Sequence, residues 1–438
     1  HAMIDKYYRA RAEATLALIH VEEGIWAKEA LDKLSTNVDK GLATEIIYGT
    51  LQNLLFIDHI LSFYLKHPLQ KLTPPIRNIL RSAVYQLNFL DRVPAKKVIF
   101  DSVRLAGRYG HKGVQSLVSG VLNNIVREKK WTLPDDDLKR LSLQYSHPEW
   151  IVSRWLEELG LVATEQLLAW NNQRQPLCLR VNTLVNSAQD YMQKLTLAGV
   201  DYKQDPEIKE ALYLSKPGEV TELPGYNSGA FQPQSKASML VALILDPKPG
   251  EKVADFCAAP GTKTGHIAEL MANQGRITAI DISEERLTKA KENLARLQVT
   301  NVKFLAQDAT KVDLELQDKI LVDAPCSGLG TLSHRPDARY QKTETSLQGL
   351  PEIQLAILKN AARHLKPGGE IVYSTCTTEK RENAEVVENF LREHEDFFEV
   401  EKIPFRGLIK QSKGYMSWPQ NTKTDGFYYC RLKKKPNK

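Results

Sequence analysis

Apolar residues recur at helical spacing through the first 130 residues of the chain. Between Thr44 and Leu61 the apolar side chains lie three or four positions apart, and the pattern resumes after Pro74-Pro75 and continues to Ile125. The alternation of apolar and polar residues that is typical of a half-buried strand is almost absent from this region. The pattern therefore predicts an all-helical domain over residues 4–130.

The pattern changes twice before residue 230. Residues 131–144 are polar, are interrupted by proline and carry the acidic run Asp135-Asp136-Asp137, which predicts a linker. A short strand at Leu177 to Asn182, a helix near Ala188 to Ala198 and a strand at Leu212 to Leu214 follow. These features predict a small α+β unit over residues 145–229.

Residues 230–438 alternate short apolar runs with helical patterns, which predicts an α/β domain with a doubly wound parallel sheet. Runs without polar alternation are typical of strands that are covered on both faces. The predicted strands are Lys252 to Phe256, Arg276 to Ile280, Val302 to Leu305, Lys319 to Val322 and Glu370 to Ser374. The predicted helices lie near Lys263 to Ala272, Glu284 to Leu297, Glu352 to His364 and Glu382 to Glu393.

Composition limits the classes of protein that fit. A chain of 438 residues with 42% hydrophobic and 26% charged residues is typical of a globular protein of two or three domains. No apolar run approaches the roughly 20 residues of a membrane span, and the N-terminus lacks a signal-peptide core, so we expect a cytoplasmic protein without membrane contact. The net charge of +6 permits a polyanionic partner without demonstrating one.

The five cysteines argue against both a disulfide framework and a structural zinc site. Their number is odd, they are widely scattered, and no C-x-x-C pair occurs. We therefore expect reduced thiols and no metal.

The ends of the first three predicted strands of the α/β domain have the features of an adenosyl-cofactor site. The first strand runs into a loop of small residues at a helix N-terminus, a place where the backbone can approach a ligand. Asp281 ends the second strand, where a carboxylate can accept hydrogen bonds from ribose hydroxyls, and Asp308 follows the third. Neither the dinucleotide fingerprint nor a P-loop is present. We predict that S-adenosylmethionine binds here. The predicted loop residues are Cys257, Ala258, Ala259, Pro260, Gly261, Thr262 and Lys263.

Two thiols follow the last two predicted strands at comparable points. Asp323-Ala324-Pro325-Cys326 ends one strand and Ser374-Thr375-Cys376 ends the other, which favours a shared pocket. A thiol suits a methyl acceptor that is a poorly nucleophilic ring carbon: the cysteine adds to C6 of a pyrimidine, and C5 can then take the methyl group. A base must afterwards remove the C5 proton so that the enzyme is released. The spacing leaves open which cysteine attacks.

These motifs, in this order, resemble the Sun/Fmu-type family of 16S ribosomal RNA cytosine C5 methyltransferases. The resemblance covers the whole chain and includes Arg335-Pro336-Asp337, the segment from Thr424 to Tyr429 and an N-terminal region that resembles the NusB-type helical domain. The cofactor loop has Thr262 where many relatives have a second glycine, and Gln234 stands where relatives often have an acidic residue.

The resemblance implies a Rossmann-like methyltransferase sheet and a role for each matching residue. Cys376 is expected to be the nucleophile, and Cys326 is expected to assist proton removal and enzyme release. Asp323 is expected to hold or protonate the N3 edge of cytosine and to take part in cofactor binding. Pro325 is expected to shape the turn, and Lys263 is expected to reach either the cofactor or the base.

The resemblance also implies ribosomal RNA as the partner, with an unpaired or flipped-out cytosine, and we expect a monomer. Two alternatives stay open: a methyltransferase that acts on another RNA such as transfer RNA, and a non-catalytic RNA-binding assembly factor. The basic residues of the helical domain are candidates for phosphate contacts. They are Arg77, Arg81, Arg92, Lys96, Lys97, Arg104, Arg108 and Lys112.

Overall fold

The computed structural model describes residues 2–35 and 37–437, which form two compact units. The first unit comprises residues 2–173 and Leu332–Thr343, and the second comprises Arg174–Thr331 and residues 344–437. The division of the chain at residues 130, 144 and 229 stays a prediction.

The helices and strands are numbered in chain order. The helices are α1 Ala2–Glu22, α2 Ala27–Asp32, α3 Lys40–Gln52, α4 Leu54–Ser62, α5 Pro74–Phe89, α6 Ala95–Tyr109, α7 Lys112–Arg127, α8 Asp137–Tyr145, α9 Glu149–Asn171, α10 Ala188–Leu197, α11 Lys236–Leu245, α12 Thr262–Leu270, α13 Glu284–Arg296, α14 Ala338–Gln341, α15 Leu350–Arg363, α16 Ala384–Glu393 and α17 Pro419–Thr422. The strands are β1 Leu177–Val181, β2 Lys203–Gln204, β3 Ala211–Leu214, β4 Phe231–Pro233, β5 Lys252–Phe256, β6 Arg276–Asp281, β7 Val302–Ala306, β8 Gln317–Asp323, β9 Leu365–Thr375, β10 Phe397–Glu399, β11 Ile409–Lys410, β12 Tyr415–Ser417 and β13 Phe427–Lys434.

The first unit is helical throughout its described residues, as the apolar spacing predicts. The apolar face of α5 carries Ile79 and Ala83, which are buried against side chains of α4, α6 and α7. A helix that presents an apolar stripe to its neighbours gains most of its stability from this packing. The helical prediction for this region is confirmed.

The predicted linker contains a helix. Asp136 is the N-cap of α8, and its carboxylate accepts a hydrogen bond from the Lys139 backbone N–H at 3.0 Å. The acidic run that predicted a solvated connection therefore begins a helix, because a carboxylate at this position satisfies an unpaired amide and complements the helix dipole. The predicted linker over residues 131–144 therefore includes most of α8, and its role as a connection between domains stays a prediction.

Two of the basic residues predicted to contact phosphate are already paired within the first unit. The Arg81 guanidinium donates to both oxygens of Asp58 at 2.8 and 2.9 Å, and Arg77 donates to both oxygens of Glu22 at 2.7 and 2.8 Å. Arg81 is buried. Because a buried bidentate ion pair is costly to break, we remove Arg81 from the candidates for RNA contact, whereas Arg77 is only partly buried and stays a candidate.

The segment Leu332–Thr343 folds within the first unit although it follows the predicted reaction turn in sequence. The buried Arg339 guanidinium donates to backbone carbonyls, including that of Asn171 at 2.8 Å, and the Asp337 carboxylate accepts from the Ala27 backbone N–H at 2.8 Å. The Arg335 guanidinium lies 4.6 Å from the centre of the Trp26 ring, which is a cation–π contact. These three side chains therefore stabilise the first unit.

The second unit contains two sheets. The smaller sheet is antiparallel, with the strand order β2-β3-β1-β4. The larger sheet has the order β11-β12-β13-β9-β8-β5-β6-β7, and its five strands β5 to β9 are the five predicted strands, all parallel to one another. Their carboxyl ends consequently lie at one edge of the sheet, where Asp281, Asp323 and Thr375 end β6, β8 and β9.

The sheet continues at one edge in antiparallel strands that the sequence did not predict. Strand β13 pairs antiparallel with β9, and β10 and β12 pair antiparallel with β13. The chain between β9 and β13 contains α16, β10, β11, β12 and α17, so these two neighbours in the sheet are distant in sequence. Tyr428, Tyr429 and Cys430 are all fully buried, so this strand has no polar alternation to mark it in the sequence.

Candidate active site

The loop after β5 folds back tightly at the start of α12. Cys257 and Gly261 have left-handed backbones, with φ of 65° and 94°, and the Gly261 N–H donates to the Ala258 carbonyl at 2.7 Å. A Cβ on Gly261 would lie only 3.1 Å from the Cβ of Ala290 on α13, so glycine serves both the backbone conformation and the close approach. The loop thus brings backbone amides to the N-terminus of a helix, as a cofactor site requires.

Asp281 connects this loop to the end of the next strand. One carboxylate oxygen accepts from the Ala259 backbone N–H at 3.1 Å, and the other accepts from the Ser283 N–H at 3.0 Å. Each carboxylate oxygen has a second lone pair for a ligand hydroxyl. The next residue, Ile282, is 74% exposed and places an apolar side chain beside the loop. The sequence did not indicate Ile282, because an isolated exposed isoleucine carries no signal in a single sequence.

Asp308 lies beyond the end of β7, and its carboxylate is oriented by its own turn. One oxygen accepts from the Thr310 hydroxyl at 2.7 Å and from the Thr310 N–H at 2.9 Å, and these bonds hold the pKa of Asp308 below the ordinary value. Neither of these hydrogen bonds connects Asp308 to another predicted site residue. The placement at a strand end agrees with a role in cofactor binding, which stays a prediction.

The buried Asp255, near the end of β5, has one unsatisfied oxygen. Its Oδ2 accepts from the Thr264 hydroxyl at 2.6 Å, whereas its Oδ1 is buried and accepts no hydrogen bond. Burial raises the pKa of Asp255 to about 7. An unused buried acceptor beside the glycine loop, together with Asp281 and Asp308, fits a ligand that carries several N–H and O–H donors, as an adenosyl group does.

We expect the Asp255→Asn variant to gain stability relative to the wild type as the pH rises. The folded-state pKa of Asp255 is raised, so its contribution to the free energy of unfolding is full below about pH 4 and is lost as the pH rises towards 7. Between pH 5 and pH 8 the free energy of unfolding of the wild type should therefore fall by up to about 3 kcal/mol relative to that of the asparagine variant, at about 1.36 kcal/mol per pKa unit. Urea unfolding at the two pH values measures the difference.

The exposed Asp201 offers the matched control for this prediction. The Asp201→Asn variant removes the same carboxylate from a solvated position, so its stability relative to the wild type should be independent of pH in this range. Equal pH dependence of unfolding in the wild type and the Asp255→Asn variant would contradict the raised pKa.

The two predicted thiols are in contact. The Sγ atoms of Cys326 and Cys376 lie 3.3 Å apart, within hydrogen-bonding distance for sulfur, and both side chains are partly buried. The contact arises because β8 and β9 are parallel neighbours in register, with Asp323 opposite Ser374. The five cysteines of the chain are all free thiols.

The two thiols have opposite pKa shifts. The hydrogen bond to Cys376 and then burial raise the pKa of Cys326 well above the ordinary value. The same hydrogen bond lowers the pKa of Cys376, against the effect of burial, and the Lys263 ammonium adds to this lowering. These directions favour Cys326 as the S–H donor and Cys376 as the acceptor, and a lowered pKa favours the thiolate, which is the nucleophilic form of cysteine.

An ion pair borders the thiols. The Lys263 ammonium lies 2.8 Å from Asp323 Oδ2, and the Ser374 hydroxyl donates to Asp323 Oδ1 at 2.9 Å. Burial alone would lower the pKa of Lys263, but the Asp323 carboxylate raises it above the ordinary lysine value, so the side chain is a cation. The backbone of Lys263 belongs to the predicted cofactor segment, and its ammonium group contacts Asp323. Lys263 therefore connects the predicted cofactor residues to the predicted reaction turn.

A close approach of backbones holds the Cys376 turn. The Gly330 N–H donates to the Cys376 carbonyl at 2.9 Å, and the Gly330 carbonyl accepts from the Gly426 N–H at 2.8 Å. A Cβ on Gly330 would lie 2.0 Å from the Gly426 carbonyl oxygen, so no larger residue fits without a shift of the backbone. Pro325 is exposed, and its carbonyl accepts from the Gln354 side chain at 2.9 Å.

Arg180 is a residue of the site region that the sequence did not single out. Its buried guanidinium donates to the Thr262 carbonyl at 3.0 Å and to Gln234 Oε1 at 2.5 Å. Gln234 in turn donates to the Ser238 hydroxyl at 3.0 Å, so its side chain supports Arg180 behind the cofactor loop. A single arginine in a predicted strand gave no sign of a partner 82 positions away.

Neither a metal-binding group nor a membrane-spanning helix occurs among the described residues. Within residues 2–35 and 37–437, no three histidine, cysteine, aspartate or glutamate side chains are grouped so as to hold a metal ion. No helix in the same ranges combines the length and the apolar character that crossing a membrane requires.

Three family models match successive parts of the chain. The NusB family model matches residues 8–127, the model of the ferredoxin-like domain of RsmF/B-like methyltransferases matches residues 147–221, and the 16S rRNA methyltransferase RsmB/F model matches residues 242–433. The N-terminal helical region is therefore a NusB domain, and the mixed sheet belongs to a methyltransferase domain.

Individual proteins of known sequence or structure are similar over most of the chain. The probable ribosomal RNA small subunit methyltransferase B of Bacillus subtilis (strain 168) is 37% identical over 409 residues, which cover 91% of each protein. The crystal structure of PH0851 superposes with a TM-score of 0.83 at 30% identity, covering 97% of this chain and 99% of that one. The structure of NSun6 from Pyrococcus horikoshii with SFG has a TM-score of 0.61 at 26% identity, covering 66% of this chain and 99% of that one. This chain belongs to the RsmB/F family of 16S ribosomal RNA methyltransferases.

Proposed function

We propose that the protein transfers a methyl group from S-adenosylmethionine to C5 of a cytosine in 16S ribosomal RNA, through a covalent bond between Cys376 and C6. The observation that carries the proposal is the thiol pair: two Sγ atoms 3.3 Å apart, with the pKa of Cys376 lowered and the pKa of Cys326 raised. Chemistry on an amino group or a hydroxyl needs no thiol nucleophile, whereas C5 of a pyrimidine does.

The cofactor site is proposed from the loop and the acidic strand ends. Cys257 to Lys263 and Asp281 would hold the adenosyl and methionine parts, with Asp308 towards the base and Ile282 as an apolar surface for it. When bound, S-adenosylmethionine supplies an electrophilic methyl group. The neighbouring structure of NSun6 with SFG, an analogue of this cofactor, supports the assignment.

Cys376 begins the reaction on the RNA. Its thiolate adds to C6, which forms the C–S bond and places negative charge on the C5 to N3 side of the ring. Asp323, whose carboxylate is bonded to Lys263 and Ser374, would hold or protonate the N3 edge, because negative charge at N3 is tolerated beside a carboxyl group only with a proton between them; the Lys263 cation would stabilise the charge that develops on the ring. The target cytosine must be unpaired or flipped out, at a cost of a few kcal/mol.

Cys326 serves the release of the product. A base takes the C5 proton, the C–H electron pair restores the C5–C6 double bond, and the C6–S bond breaks so that Cys376 leaves as a thiolate. The two sulfurs lie within hydrogen-bonding distance, and a Cys326 S–H group that donates to Cys376 would stabilise the departing thiolate. The family resemblance assigns assistance with proton removal to Cys326 as well.

One experiment tests the reaction and its competitors together. We expect the purified protein to transfer tritium from methyl-labelled S-adenosylmethionine to 16S ribosomal RNA, and bisulfite sequencing to place the label on 5-methylcytosine. Methylation of transfer RNA alone would assign a different substrate, and label on another base would contradict the thiol mechanism. Binding of RNA without any transfer would identify a non-catalytic assembly factor.

A further inference from the structure

Glu382 is a buried carboxylate that the proposed reaction does not use. It lies in a short 3₁₀ turn, Lys380–Glu382, between Cys376 and helix α16, and it is 1% exposed. Its Oε1 accepts from the Ser327 backbone N–H at 2.9 Å and from Gln354 Nε2 at 3.0 Å, while its Oε2 accepts from the Ser327 hydroxyl at 2.6 Å. Glu382 is thus bonded to the residue that follows Cys326.

The next residue, Asn383, holds the other thiol turn. Its Oδ1 accepts from the Thr375 hydroxyl at 2.5 Å, and its Nδ2 donates to the Thr377 carbonyl at 2.8 Å, so its amide is bonded on each side of Cys376. The Ser327 and Thr377 hydroxyls lie 2.6 Å apart and complete the connection between the two turns. Two consecutive side chains therefore fasten the Cys326 turn and the Cys376 turn to a single short segment.

We propose that Glu382, together with Asn383, sets the distance between the Cys326 and Cys376 sulfurs. The hydrogen bond between the two thiols, which lowers the pKa of Cys376, depends on that distance. No covalent bond links the two turns, so non-covalent contacts must hold the sulfurs at this distance. Glu382 is accordingly a positioning residue that acts through Ser327. Its importance for catalysis rests on the proposed function, whereas the spacing of the thiols can be measured without any reaction.

A buried carboxylate is costly unless its oxygens are satisfied, and the donors that Glu382 binds are neutral groups. The Glu382→Gln variant can keep the pattern. The amide oxygen still accepts from Ser327 N–H and Gln354, and the amide N–H₂ donates to the Ser327 hydroxyl, whose proton then turns to Thr377. The Glu382→Ala variant leaves the Ser327 N–H without an acceptor and removes one of the two acceptors of the Gln354 amide, which keeps the Pro325 carbonyl. Comparison of the glutamine and alanine variants therefore separates the effect of the hydrogen-bond geometry from the effect of the negative charge.

Phenylarsine oxide tests the spacing directly, because the trivalent arsenic binds tightly only where two thiols can bond to it together. We expect the wild type to bind one equivalent and to lose two thiols reactive with Ellman's reagent, and the Cys326→Ala variant to lose this tight binding. Glu382→Ala should weaken arsenical binding by about tenfold or more, as expected for the loss of buried hydrogen bonds. Glu382→Gln should bind like the wild type, and so should Glu385→Ala, which removes an exposed carboxylate three positions further on, in α16.

Wild-type binding by Glu382→Ala would overturn the proposal, and so would a loss in Glu382→Gln as large as that in Glu382→Ala. Where Glu382→Ala does not fold, Ser327→Ala carries the test, because it removes the hydroxyl bonded to both Glu382 and Thr377. Weaker arsenical binding in that variant supports the proposal, and unchanged binding overturns it. In methyl transfer, the Glu382→Ala variant should lose kcat while its KM for S-adenosylmethionine stays unchanged. If the wild type bound the arsenical but methylated no RNA, the proposed function would fail and the spacing role would stand.

Discussion

Replacement of Cys376 by alanine is expected to lower methyl transfer to 16S ribosomal RNA by at least about a thousandfold, because the addition to C6 loses its nucleophile. Lys263 and Asp323 do not replace it, since they contact each other at 2.8 Å and their proposed part is to stabilise charge on the ring. Single-turnover methyl transfer with labelled cofactor measures the loss. The affinity for S-adenosylmethionine should be unchanged, because the loop after β5 does not include Cys376.

The matched control for this variant is Cys178→Ala. Cys178 is a partly buried thiol that packs against the core of the second unit, and burial raises its pKa to about 12, so it is not a nucleophile at neutral pH. We expect this variant to keep wild-type activity. Appreciable methyl transfer by Cys376→Ala, together with a covalent adduct on Cys326, would mean that Cys326 is the nucleophile and that Cys376 assists release.

The edge of the sheet at which the site lies could be predicted from sequence because parallel strands impose it. Five apolar runs with helical patterns between them predict parallel neighbours, and parallel neighbours end at the same edge. In the structure Phe256 lies opposite both Ile280 and Val322, so the residues after these strands are neighbours. That argument places Asp281, Asp323 and the two thiols together without any knowledge of side-chain contacts.

Contacts made by buried polar side chains could not be predicted in the same way. In the sequence Glu382 begins an amphipathic helical pattern, where an acidic residue is an ordinary solvated first-turn residue. In the structure the helix begins at Ala384, and Glu382 is buried against Ser327, 55 positions earlier. Arg81 shows the same failure in the helical unit, because its partner Asp58 lies on another helix. Periodicity identifies buried apolar faces, but it carries no information on which polar residue is paired at long range.

The antiparallel pairing of the C-terminal strands was not predicted for a related reason. The last residues of the chain are rich in lysine and arginine, yet Arg431 forms an ion pair with Glu370 across β13 and β9 at 2.7 Å. The local pattern of a strand does not show which distant strand pairs with it at the edge of a sheet.

Replacement of Cys326 by alanine is expected to trap a covalent complex of the protein with RNA. Cys376 is still present and can add to C6, but the S–H donor that stabilises the departing sulfur is gone, so elimination stalls after methylation. Denaturing gel electrophoresis with labelled 16S ribosomal RNA should show a slowly migrating band that protease removes. The wild type should show little of it, and the double variant with Cys376→Ala should show none.

The pH dependence of this adduct tests the shared proton of the thiol pair. The hydrogen bond from Cys326 is the largest cause of the lowered pKa of Cys376, so its removal must raise that pKa. A nucleophile with a raised pKa is deprotonated only at higher pH, and the rate of adduct formation in Cys326→Ala should therefore rise to its plateau at a higher pH than single-turnover methyl transfer in the wild type. Coincident pH profiles would mean that the Lys263 cation, rather than the Cys326 thiol, keeps Cys376 ionised.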